Sequence, residues 1–289
     1  MKWIVFGWVV LIASAVYAKI VPEFPEPHHY FYSNAVNPGA IGHLFNSRGQ
    51  LTQQRVGVSF AHQNREWEYD WFLFGMVVPT AIGPMAVGYS NYGTTRLPKT
   101  KKDNIGISLD GYGSDTFEMI AASYQPTIKN INIQLIANYK YRQLMSIAKN
   151  KALSLDVHMA SPLVMNNKVG IRTKNLVGTP YQGNNQNESL AKYVGLYAIW
   201  PISDITLFVE HDICLNYNEL NMWMGEISVD LDPNLSLFTT IRKTSMFSII
   251  GFGSLIKLSD QFHLTYANQN EKNSNIELSV HSISIGVTF

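Results

Sequence analysis

This chain of 289 residues has a single cysteine, Cys214, so no internal disulfide can hold it. An exported protein of this size must then rely on its sheet. It also lacks a charge bias: 22 Lys and Arg stand against 21 Asp and Glu, a net charge of +1. That neutrality argues against nucleic acid as a partner. Past its first 18 residues the chain has no long apolar run, which excludes an α-helical membrane protein. It contains no Gly-x-Ser-x-Gly and no His-Glu-x-x-His sequence. The apolar content of 46% is instead spread through short alternating segments.

The beginning has the layout of a secretory leader. Lys2 precedes the apolar run Trp3 to Ala13, and Val16-Tyr17-Ala18 forms a small-x-Ala cleavage site. The uncharged stretch from Trp3 to Ala18 is 16 residues, short of the ~20 that a spanning helix needs. Removal after Ala18 is therefore expected. It takes away Lys2 and leaves 21 basic against 21 acidic residues.

The rest reads as strands with a period of 2, bounded by Pro, Gly, Asn and Asp. The first seven runs are Gln54 to His62, Trp67 to Val78, Ile82 to Tyr92, Asp115 to Gln125, Asn130 to Arg142, Lys151 to Ser161 and Asn167 to Lys174. The second seven are Leu190 to Trp200, Asp204 to Asp212, Asn221 to Leu231, Leu235 to Arg242, Met246 to Lys257, Gln261 to Gln269 and Asn275 to Phe289. An even count of about 14 strands, most of 8 to 12 residues, matches an outer-membrane β-barrel.

The final eight residues sharpen this reading. Ile283, Ile285, Val287 and Phe289 alternate with Ser282, Ser284, Gly286 and Thr288, as in a closing strand with one lipid-facing side. If Phe289 lies at the periplasmic side, the alternate turns are short and mostly contain Pro, as at Pro201-Ile202-Ser203 and Asp232-Pro233-Asn234. The opposite set holds long polar stretches, 93–114, 175–189 and 213–220. Outward aromatics form two belts: Trp67, Tyr69, Tyr89, Tyr139, Tyr141 and Trp223 near one end, Trp200, Phe262 and Phe289 near the other. A soluble β-sandwich shares the alternation but neither the turn asymmetry nor the terminal Phe.

Nearly all strand charges fall on the phase assigned to the lumen: Arg55, Glu68, Asp70, Glu118, Lys140, Arg142, Asp156, Arg172, Glu210, Asp212, Glu226, Asp230 and Arg242. A Lys or Arg on the lipid face would cost about 2–4 kcal/mol at the midplane, which explains the segregation. Their mixed signs favour ion-pair networks bracing the interior over a strongly ion-selective pore. Ile136, Phe238, Ile250 and Phe252 are assigned to the same interior. Phe238, Ile250, Phe252, Arg172 and Glu226 are thus the candidate lumen residues. Before the barrel, residues 19–53 begin with Pro22, Pro25 and Pro27, and Asn37-Pro38 supplies an N-cap and first-turn proline for a short helix. They form an N-terminal plug or, alternatively, a periplasmic tail.

Three elements carry a family resemblance. Asn37-Pro38-Gly39-Ala40-Ile41 is similar to an Asn-Pro-Ala-Gly-Leu element, Val56 to Tyr92 repeats a hairpin style, and Val169 to Leu176 ends in Lys-Asn-Leu. Together they resemble the PorV type of outer-membrane barrel, itself similar to the FadL long-chain fatty-acid transporters. The resemblance implies a 14-stranded barrel at residues 54–289 with an N-terminal hatch that includes Asn37, Pro38 and Gly39. It also implies either passage of hydrophobic compounds or a role as partner in protein secretion and surface assembly. The stretch before the Asn-Pro element departs from the family pattern, being His28 to Asn34.

The remaining chemistry is sparse. Glu210-His211-Asp212 would serve catalysis only with the His beside a carboxylate, yet on a regular strand His211 points away from both neighbours. His28-His29 offers no metal-ligand spacing. Asp103, Asp110 and Asp115 suggest a polar loop before a calcium site. Arg96, Lys99, Lys101 and Lys102 read as a solvated run that could also meet lipopolysaccharide phosphates. The sequence thus implies a non-enzymatic barrel of a Gram-negative outer membrane, with no cofactor and no metal. Its partners would be outer-membrane lipid and lipopolysaccharide, plus a hydrophobic small molecule or envelope and secretion proteins. The alternative is a general diffusion porin or a purely structural barrel.

Overall fold

A computed structural model describes residues 57–289, apart from 66–68, 104–105, 129–130, 145–147, 163–166, 181, 183–188, 217–220, 246 and 274–275. The expected leader, the plug segment with Asn37, Pro38 and Gly39, and the charges Arg55 and Glu68 lie outside these residues. Among the described residues the elements are fifteen strands. They are β1 (Gly57–Arg65), β2 (Tyr69–Val78), β3 (Met85–Asp103), β4 (Gly106–Tyr124), β5 (Thr127–Ile128), β6 (Ile131–Leu144), β7 (Ala148–Pro162) and β8 (Lys168–Gly178). Then come β9 (Tyr193–Ile202), β10 (Ile205–Cys214), β11 (Met222–Asp232), β12 (Leu235–Lys243), β13 (Phe247–Lys257), β14 (Phe262–Asn273) and β15 (Ile276–Thr288).

All pairings are antiparallel, and each strand lies beside its sequence neighbours in one up-and-down sheet. β1 pairs with both β2 and β15, from Gly57↔Thr288 to Arg65↔Val280. β4 pairs with both β3 and β6, and the two-residue β5 joins β6 below that ladder. Apart from β5, every strand therefore has a hydrogen-bonded neighbour on each side. Turns Ser203-Asp204 and Asp232-Pro233-Asn234 lie at the end where Phe289 stops, here called the base. The opposite end is the rim.

The segment expected as the longest loop, 93–114, is instead a projecting hairpin. β3 and β4 are each 19 residues long and pair out to Asp103↔Gly106. β2 accompanies β3 only as far as Gly93, and β6 accompanies β4 only from Asp115. Beyond that point the hairpin pairs with itself, so Pro98 lies on an edge where a missing N–H is tolerated. Register shifts at Thr94/Leu97 and Pro98/Thr100 absorb it. Asp103 and Asp110 are accordingly strand residues, not members of a loop.

Side chains divide by phase. On β10, Phe208, Glu210, Asp212 and Cys214 are buried while Val209 and Ile213 are exposed. On β12, Ser236, Phe238, Thr240 and Arg242 are buried while Leu237 and Ile241 are exposed. The same split recurs across the sheet: the buried face carries Gln, Asn, Ser and charged residues beside small apolar ones, and the exposed face carries Leu, Ile, Val, Trp and Phe. This inverts the usual arrangement of a water-soluble protein, whose large aliphatic residues lie inside.

Candidate interior site

The buried face is two-sided. From β6 to β12 it holds four cations, Lys140, Arg172, Lys174 and Arg242, and four carboxylates, Asp156, Glu210, Asp212 and Glu226. On β2 to β4 and β13 to β15 it is mostly small or apolar: Leu73, Val77, Ala86, Met119, Ala121, Ile249, Leu255, Ala267 and Ser284 are all buried.

Arg172 organises the charged side. It is 2% exposed, and its partners Glu210 and Asp212 are each 1% exposed. Its Nε lies 2.5 Å from Glu210 Oε1 and 3.3 Å from Asp212 Oδ1, while Nη2 donates to Asp212 Oδ2. The register explains how a side chain of β8 reaches β10. Gly195 of β9 lies directly between Arg172 and Asp212 in one row. A Cβ at Gly195 would collide with Asp212 Oδ1 and come within 3.0 Å of Arg172 Cγ. A glycine is thus what lets the ion pair cross an intervening strand.

A second network surrounds a bulge in β8. The β7–β8 register shifts between Leu155 and Val157, leaving Lys174, Asn175 and Leu176 opposite a single residue, Asp156. Asn175 has φ 55°, a left-handed conformation that Asn tolerates better than most residues. Its N–H donates to Asp156 Oδ1 at 2.7 Å, so a carboxylate replaces the lost ladder partner. Asn175 Oδ1 accepts from Lys140 Nζ at 2.8 Å, and its Nδ2 donates to Ala191 O at 2.9 Å. Asn138 Nδ2 completes the set by donating to Asp156 Oδ2 at 2.8 Å. Toward the base, His158 Nε2 and Tyr197 Oη share a 2.6 Å hydrogen bond, and Tyr197 lies over its cross-strand partner Gly170.

The candidate lumen residues separate accordingly. Arg172 and Glu226 are buried on the charged side. Phe238 is buried at 6% exposure, its ring covering Gly253, the residue directly opposite on β13. Ile250 and Phe252, assigned to the lumen from sequence, are 57% and 56% exposed and belong to the outer face. Two interior glycines on β13 explain the reversal: Cβ atoms at Gly251 and Gly253 would meet Thr240, Gln269 and the Phe238 ring. Filling the inside with Phe238 requires the small phase of β13 to face inward. Asp70 is also exposed, and Glu118 lies on the outward phase beside exposed Ile120, both contrary to their lumen assignment. Asn138, His158, Tyr197 and Asn175 are interior residues that charge counting did not single out.

His211 takes the phase opposite to Glu210 and Asp212. Its ring stacks on Trp223 with centroids 3.9 Å apart and planes at 10°. Glu210-His211-Asp212 therefore brings no imidazole to a carboxylate. Among the described residues no group of three or more His, Cys, Asp or Glu is placed to hold a metal ion.

An antiparallel up-and-down sheet with a polar buried face and an apolar exposed one is the architecture of outer-membrane-type β-barrels. No family model and no curated protein matches the chain. Solved structures do. CymD, a monoaromatic hydrocarbon channel, is similar with a TM-score of 0.55 and 10% identity, over 89% of this chain and 95% of that one. The P. putida toluene transporter TodX is similar with a TM-score of 0.52 and 7% identity, over 81% of this chain and 89% of that one. At such identities the likeness is one of fold.

Proposed function

We propose that this chain is a barrel of the Gram-negative outer membrane, of the PorV/FadL-like kind and non-enzymatic, that passes small hydrophobic compounds. The observation that carries the membrane part is the exposed face, where Ile120, Leu135, Leu153, Leu196, Val209, Ile227, Leu237 and Ile283 continue the apolar surface from strand to strand. Water would oppose such a surface, and a bilayer would match it. Passage of hydrophobic compounds draws on the two-sided interior. The charged side is occupied by its own ion pairs, which leaves the small and apolar residues of β13 to β15 and of β2 to β4 as the wall past which an apolar solute would move. The fold shared with two hydrocarbon channels agrees with that choice. The projecting β3–β4 hairpin favours a second reading, a secretion or surface-assembly accessory that uses the hairpin as a partner arm.

Reconstitution of the full chain into liposomes tests the proposal. Faster equilibration of toluene than in empty liposomes, with silence in planar bilayers, is the expected result. Steady ion conductance and swelling in small sugars would instead establish a general diffusion porin. A chain that stays in water without detergent would remove the membrane reading altogether.

A further inference from the structure

The outward phase near the rim carries a row of its own. His211 stands opposite Trp223, Trp223 opposite Lys243, Lys243 opposite Ser248, and Ser248 opposite Lys272, across β10 to β14. Trp223, Lys243 and Lys272 are exposed, while His211 and Ser248 are half-buried. The next outward row toward the base holds Val209, Gly225, Ile241 and Ile250. The cations therefore stand at the upper edge of the apolar band, at the level where an indole ring favours the headgroup region. Lys243 and Lys272 are two strands apart, about 10 Å at the usual inter-strand spacing.

We propose that this row docks the phosphorylated headgroup of a glycolipid in the leaflet around the rim, the lipopolysaccharide class. The inference rests on the membrane reading above and adds the lipid. Lys243 binds one phosphate, flanked by the Ser248 hydroxyl and the Trp223 indole N–H as donors. Lys272, whose register partner on β15 is Glu277, meets a second phosphate. Acyl chains then lie against Ile241 and Ile250. Two cations ~10 Å apart fit a headgroup whose phosphates are separated by sugar units better than a lipid carrying one phosphate.

Native mass spectrometry of the full chain, folded in detergent micelles and dosed with bisphosphorylated lipid A, tests the site. Wild type should retain lipid A, and Lys243→Gln should retain about fivefold less, the worth of one lysine near an anionic surface. Lys272→Gln should abolish the preference for bisphosphorylated over monophosphorylated lipid A. Lys257→Gln, at the base end of β13, should change nothing. Retention by Lys243→Gln equal to wild type overturns the inference, as does equal retention of phosphatidylglycerol or displacement by millimolar inorganic phosphate. Retained heat-modifiable mobility on gels shows that each variant is folded. A chain that enters no micelle overturns this inference together with the membrane reading, whereas a folded, inserted Lys243→Gln with full retention overturns this inference alone.

Discussion

Replacing Arg172 with Met should be among the most damaging single changes inside the sheet. The guanidinium is the cation that Glu210 and Asp212 both contact, at 2.5 Å for Glu210 Oε1 and through two nitrogens for Asp212. All three side chains are at most 2% exposed, so water cannot replace the lost partner. Removing one member of a buried ion pair typically costs about 3–5 kcal/mol, a large part of a usual stability of roughly 5–15 kcal/mol. The triple variant Arg172→Met, Glu210→Gln, Asp212→Asn removes both carboxylates along with the cation they contact and should recover at least half of that loss. Urea unfolding of the vesicle-inserted protein, followed by tryptophan fluorescence, reads both quantities. A single-variant loss below about 1 kcal/mol, the worth of an exposed pair, would refute the reasoning. So would a triple variant no more stable than the single one.

Gly195→Ala should lose about 1–3 kcal/mol in the same assay, because the new methyl enters the space crossed by the Arg172–Asp212 pair. Asn175→Gly and Asn175→Ala both delete the bond to Lys140, but Ala must also hold φ 55°, so it should fall about 1–2 kcal/mol below Gly. Ile227→Arg on the exposed face should cost about 2–4 kcal/mol in lipid vesicles if that face meets the bilayer core. An Ile227→Arg protein as stable as wild type would contradict that placement. His211→Ala should cost no more than about 1.5 kcal/mol, the worth of a stacked ring pair, in thermal unfolding followed by circular dichroism.

Strand positions were legible because alternation and Pro or Asn turns are local signals: the segments chosen from sequence at β10, β11 and β12 differ by only a residue or two from those observed. Phase was legible where charge and aliphatic residues alternate, as around Glu210 and Arg242. It failed in β13, where Ile249 and Ile250 put an aliphatic residue on both phases and only the cross-strand fit of Phe238 decides. It failed again for Asp70 and Glu118, near the rim. The penalty on outward charge acts only within the apolar band, so at that level a carboxylate can face out freely. The Arg172–Gly195–Asp212 row was out of reach because it depends on register across three strands, which no single segment encodes. The Asn175 bulge was missed because the sequence reading ends this strand at Lys174 and starts a loop at residue 175, whereas β8 runs on to Gly178. Asn, a residue suited to positive φ, looks from sequence like the start of a turn.

The ladder between β1 and β15 joins residues from opposite ends of the described chain, Gly57 with Thr288. Hairpins between successive strands can zip as soon as both arms exist, but this seam must wait for everything between them. Until it forms, the nascent sheet has two raw edges able to capture a sibling polypeptide. Biogenesis would therefore be most vulnerable at its last event, and slowing that event should yield tangled multimers rather than a stable half-built monomer.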